Sequence, residues 1–173
     1  RDIDSVADVE AAVFGVPYDG AVSNRPGARY GPGAIREASG WYAYLSAYKG
    51  ALTNMRTGDQ IDFDDFAVAD VGDVPLFPMD RERTAESITA HVATAAQEAF
   101  PVLIGGDHYC TYPAVRGVAE SRGYDRVGLV QIDAHTDTVD GSELFGEHFH
   151  GSSTRHIAES PWGDFTNVSQ VGI

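Results

Sequence analysis

Val127-Gly128-Leu129-Val130-Gln131-Ile132 runs directly into Asp133-Ala134-His135-Thr136-Asp137. The first six residues are largely apolar and β-branched, and they predict a buried strand over 127–132. The next five carry chemistry. Successive side chains of an extended chain point to opposite sides, so Asp133, His135 and Asp137 share one side, and small Ala134 and Thr136 the other. Two carboxylates and an imidazole, with no thiolate nearby, suit a borderline-to-hard divalent ion: manganese, iron, cobalt or zinc. A lone Asp-x-His reads more readily as a polar loop with a satisfied histidine. Three alternating ligand side chains at the end of a buried strand favour a metal.

Upstream, the short apolar strand expected over 101–104 is stopped by Gly105-Gly106 and followed by Asp107-His108. Paired glycines let the backbone turn tightly and approach a ligand. His108 is a further candidate metal ligand. Asp107 either orients an imidazole or closes an Asx-turn with the loop backbone. Both motifs follow strands that are successive in sequence, and in open parallel sheets ligand sites form at the carboxyl ends of strands. Downstream, His148-Phe149-His150-Gly151 supplies two histidines that could bind metal, exchange protons or stand exposed. Cys110 has no apparent base partner and reads as a small buried residue rather than a nucleophile.

The rest of the chain extends the same pattern. Strands are expected at Ala11–Val16, 67–71 and 168–173. Helices are expected at 34–39, 81–99 and 112–120, the last with Thr111 as a possible cap and Pro113 in its first turn. Residues 17–33, rich in Gly and Pro, read as a long ordered loop or a lid. Residues 59–73 set six aspartates around Ile61, Phe63, Phe66, Val68 and Val71. Apolar strands alternating with helices define an α/β class with a central parallel sheet between helical layers. No repeat or linker interrupts it, so one domain over 1–173 is expected.

Composition narrows the function. The 173 residues carry a net charge of −14, and 43% are hydrophobic, enough for a real core. The acidic balance excludes a nucleic-acid partner, which would require a basic face. No apolar run is long enough for a membrane span, and no basic stretch followed by an apolar run is visible at the start of this sequence, so no secretory leader is expected. With a single cysteine, a reducing and cytoplasmic setting is expected. Lys49 is the only lysine. Such a surface, acidic and poor in lysine, is expected of a protein adapted to high salt, because carboxylates hold hydration and screening removes their mutual repulsion.

Four motifs together resemble one family. Asn24-Arg25-Pro26-Gly27-Ala28-Arg29-Tyr30-Gly31-Pro32, followed by Ala34-Ile35-Arg36, is similar to the N-terminal signature of the ureohydrolases, the family of arginase and agmatinase. Gly105-Gly106-Asp107-His108 resembles their first metal motif, Asp133-Ala134-His135-Thr136-Asp137 their second, and His150-Gly151 with Arg155 their His-Gly segment. The resemblance implies a three-layer α/β fold and hydrolysis of a guanidino compound to urea and an amine, with water activated between two manganese ions. It also implies roles. His108 and Asp137 would ligate one Mn²⁺, His135 the other, and Asp133 would bridge both, while His150 would shuttle a proton or orient the substrate. The partners implied are a small cationic guanidino substrate and further copies of the chain, as a trimer or hexamer.

The same resemblance marks departures. The family completes its metal site with a later Asp-x-Asp and a substrate-binding Glu, neither of which is found in this sequence. The fold is therefore expected to be incomplete at its C-terminal side, and a non-catalytic fragment or degenerate subunit is the competing reading. A binuclear phosphoesterase also uses Asp-x-His, but its Asn-His and Gly-His segments are absent. Tyr109 stands where a serine is expected. Thr138-Val139 follows Asp137 where arginase-like chains place an Asn that holds the amino-acid end of arginine, so agmatine, yielding putrescine and urea, is the expected substrate. Arginine, guanidinobutyrate and formiminoglutamate are the alternatives.

Overall fold

A computed structural model describes residues 6–49, 51–62, 66–141 and 143–173. Phe63 of the acidic segment lies outside the described residues. The first strand, β1 (Ala11–Val16), is apolar throughout, and Ala12, Phe14 and Val16 are fully buried. It occupies the centre of a three-stranded parallel sheet, flanked by β4 (Val68–Asp73) and β5 (Phe100–Gly105).

Helices cover both faces of that sheet, as alternation along β1 requires. Phe14 points to one face, where its ring meets His91 of α2 (Arg81–Glu98) at 5.3 Å between centroids. Gly15 faces the other way, against Pro32 and Arg36 of α1 (Gly31–Lys49). Helix α2 starts where Asp80 accepts a 2.9 Å hydrogen bond from the Arg83 amide, and it buries Ile88, Val92 and Ala95. The next helix, α3 (Thr111–Arg122), packs closely on α2. A Cβ at Gly117 would lie 2.6 Å from the Thr89 carbonyl, so only glycine permits this approach.

A second pair of strands, β6 (Leu129–Ile132) and β7 (Val168–Val171), is parallel and in register from Leu129↔Val168 to Ile132↔Val171. Among the described residues it is a separate sheet, so the central sheet expected from the sequence is present as two parallel pieces. Val130 and Ile132 are 74% and 84% exposed, so this piece carries uncovered apolar surface.

Three local expectations need correction. The helix expected over 34–39 extends across Gly31–Lys49. Gly40 costs a helix about 1 kcal/mol but does not end it, and ion pairs from Arg36 to Asp70 and Asp73 of β4 anchor it. Thr111 is not the N-cap of α3 but its first residue, and Asp107 caps the preceding 3₁₀ turn by accepting from the Tyr109 amide. A hairpin of β2 (Ala51–Thr53) and β3 (Gln60–Asp62) and a short helix α4 (Ser153–Glu159) lie where no element was expected. Among the described residues no helix is long and apolar enough to cross a membrane.

Candidate metal centre

The centre forms where β5 and β6 end. After β5 the chain turns at Gly105-Gly106, and a Cβ on Gly106 would fall 1.8 Å from the Tyr18 carbonyl oxygen. The Asp107 amide donates to that carbonyl at 2.8 Å. The Asp107 carboxylate accepts from the Tyr109 amide at 3.0 Å and the Ala21 amide at 2.8 Å. Asp107 therefore closes the Asx-turn, and its second oxygen holds the loop that follows β1. Burial pushes its carboxyl above the ordinary value, against those two N–H bonds.

This turn sets His108 beside the end of β6. His108 Nδ1 meets Asp137 Oδ2 in a short hydrogen bond and lies 3.5 Å from Asp133 Oδ2. The ligand atoms of His108, Asp133 and Asp137 all lie within 4.8 Å of one another. The local backbone differs from the extended run expected. Asp133 Oδ1 accepts from the His135 amide at 3.0 Å, which bends the chain, and Asp137 takes a left-handed φ of 48°. The bend brings the two aspartates together but leaves the His135 side chain 82% exposed, its Nδ1 3.6 Å from Asp133 Oδ1. His135 thus borders the cluster without joining it. Burial alone would raise the Asp133 carboxyl, but bonds from Gln131 and the His135 amide, with His108 beside it, hold it below its ordinary value.

His150 approaches from a third segment. Its amide donates to the Ala21 carbonyl at 3.1 Å, and its Nε2 lies 2.9 Å from Ser23 Oγ. With Ser23, His135, Asp137 and Phe149 it lines a cavity of about 640 Å³. Of the 17–33 segment expected as a loop or lid, residues 28–30 form a 3₁₀ turn and 31–33 begin α1. Buried Asp19 accepts from the Gly27 and Arg29 amides and from Arg29 Nε, and this Arg29 contact first of all holds its carboxyl down to about 2.

The other sequence candidates lie outside the cluster. His148 stacks on Tyr112 and packs 4.3 Å from the His156 ring, and burial and that neighbour lower its pKa. Burial likewise pushes the Cys110 thiol up, as an inert buried residue requires. Tyr109 is buried against Tyr18, with ring centroids 6.4 Å apart. Sequence reading missed two residues, Ser23 and Gln131. Gln131 carried a signal: it is polar in an apolar strand, two residues before Asp133, and so on the same side.

An imidazole and two carboxylates meeting at the carboxyl ends of parallel strands form an oxygen-rich donor set that fits manganese better than a thiolate-seeking ion. On this fold, that centre belongs to a known class. A sequence profile of the arginase family matches residues 9–173, and the chain is a member of that family. It is 40% identical over 173 residues to the mitochondrial agmatinase of Gallus gallus, covering 98% of this chain and 46% of that protein. It is 37% identical over 167 residues to the mitochondrial guanidino acid hydrolase of Homo sapiens, covering 95% of this chain and 44% of that protein. The solved structure of proclavaminate amidino hydrolase from Streptomyces clavuligerus superposes with a TM-score of 0.79 at 33% identity, covering 95% of this chain and 51% of that one. The chain spans about half the length of the curated relatives it matches.

Proposed function

We propose that this chain carries one part of the active site of a manganese-dependent amidinohydrolase that hydrolyses agmatine to putrescine and urea. The convergence of His108, Asp133 and Asp137 carries the reading. These three would hold metal, Asp133 would also serve a second ion, and the exposed His135 beside it would be a ligand of that ion. Bound divalent ions supply a water that ionises near neutral pH, which a resonance-stabilised guanidinium carbon requires of its nucleophile. His150, held by Ser23 at the edge of the same cavity, is placed to pass a proton to the departing amine.

The choice of agmatine rests on Thr138-Val139, which follow Asp137 where arginase-like chains place an Asn that holds the amino-acid end of arginine. The 40% identity to an agmatinase supports the same choice.

The test uses the full-length protein, stripped with chelator and reloaded with Mn²⁺. Urea release is then measured from agmatine, guanidinobutyrate and arginine. The reading expects Mn²⁺-dependent urea release, fastest from agmatine. Urea from guanidinobutyrate alone would transfer the reading to a guanidino acid hydrolase, and no urea from any of the three would overturn it.

A further inference from the structure

We propose that the Gln131 carboxamide is a positioning group that sets Asp133 and Asp137 for metal binding, and that Gln170 fixes which way it faces. The inference rests on the metal centre proposed above.

Gln131 is only 5% exposed, and its side chain leaves β6 on the same side as Asp133. Its Nε2 lies 3.2 Å from Asp133 Oδ2, 3.2 Å from the His135 carbonyl and 3.5 Å from Asp137 Oδ2. One buried NH₂ thus faces both carboxylates and the backbone of the bend between them. Two carboxylates this close, Asp137 buried and Asp133 half-buried, repel each other and are free to rotate apart unless a donor is aimed at both. A lysine or arginine at this position would cancel charge that a divalent ion needs. A neutral amide engages one oxygen of each carboxylate without cancelling its charge, and each carboxylate oxygen keeps a further lone pair for metal.

The neighbours determine the amide's orientation. Gln131 Oε1 accepts from Thr154 Oγ1 at 2.8 Å and from Gln170 Nε2 at 2.6 Å. Gln170 stands directly opposite on β7. Its Nε2 also lies 2.7 Å from the Thr136 carbonyl oxygen, which can only accept. The nitrogen end of Gln170 must therefore face this corner, so Gln131 presents its oxygen to Gln170 and its nitrogen to the aspartates. With the amide flipped, its oxygen would face two carboxylates and its nitrogen another NH₂, which is unfavourable at both ends. The parallel register of β6 and β7 thus reaches the metal ligands through two hydrogen-bonded amides.

The experiment is a Mn²⁺ titration of the stripped full-length protein, with electron paramagnetic resonance reading the free aqueous ion, so no turnover is needed. Gln131→Met keeps the length and removes the amide, and it should weaken Mn²⁺ binding about 10- to 100-fold. Gln170→Val keeps a strand former and removes the orienting amide, and it should weaken binding in the same direction. The double variant should lose less than the product of the two, because both act through one chain of bonds. A folded Gln131→Met protein that binds Mn²⁺ as tightly as the wild type overturns the inference. If Gln131→Met does not fold, wild-type affinity in Gln170→Val overturns it. A wild-type protein that binds no divalent ion overturns the metal centre and this inference together, a result distinct from both.

Discussion

Ser23 Oγ and His150 Nε2 lie 2.9 Å apart, although 127 residues separate them in sequence. The loop after β1 therefore holds the histidine that faces the cavity, and the Ala21 carbonyl fixes the same histidine's backbone. A neutral hydrogen bond contributes about 1 kcal/mol net, so Ser23→Ala should lower kcat about fivefold with little change in KM. Ser23→Thr, which keeps the hydroxyl, should retain most of the rate. The comparison is made from steady-state kinetics across pH. A Ser23→Ala enzyme with unchanged kcat and pH profile would show that the contact is incidental.

The loop itself depends on Asp19. Its carboxyl titrates at about 2 in the fold against an ordinary value of 3.8. A depressed carboxylate pKa contributes stability that is present above the unfolded value and lost as pH falls through the folded one. Asp19→Asn should therefore lower the melting temperature at pH 7, and the gap to wild type should narrow as pH falls from 4 to 2. A gap of constant size over that window would remove Asp19 from the account.

Gly106 tests the geometry of the turn that carries His108. A Cβ there would fall 1.8 Å from the Tyr18 carbonyl oxygen, so the backbone must shift. Gly106→Ala should cost about 1–3 kcal/mol of stability, read from denaturant unfolding, and should weaken metal binding because His108 moves with the turn. Wild-type stability would mean that the loop after β1 yields freely.

The surface makes a separate prediction. A net charge of −14 with a single lysine should destabilise the fold in dilute buffer through self-repulsion, which molar salt screens. Thermal stability should rise with KCl concentration. Equal stability in dilute buffer and in molar KCl would reduce the acidic surface to a solubility feature.

Elements with an unbroken local pattern were legible in the sequence. Apolar runs announced β1, β5 and β6, and helical spacing without Gly or Pro announced α2. Where a local signal conflicted with tertiary anchoring, the reading failed. The helix expected over 34–39 runs on to Lys49, and its Arg36 is anchored by Asp70 and Asp73, which lie outside the helix's own sequence. The strands of the β2–β3 hairpin are three residues each, too short for periodicity to register. The site divides in the same way. Ligand types and strand ends identified His108, Asp133 and Asp137, and the structure brings them together. Alternation placed His135 with them, but the bend after Asp133 turns its side chain outward. Ser23 was invisible, because its partner comes from a distant segment.

His108, Asp133 and Asp137 are the proposed metal ligands. The most direct test of that assignment is bound manganese per chain, measured by elemental analysis on the full-length wild type and on Asp133→Ala after reloading and desalting. The account predicts stoichiometric manganese in the wild type and its loss in Asp133→Ala with the fold retained by circular dichroism. Retained stoichiometry in Asp133→Ala would contradict it.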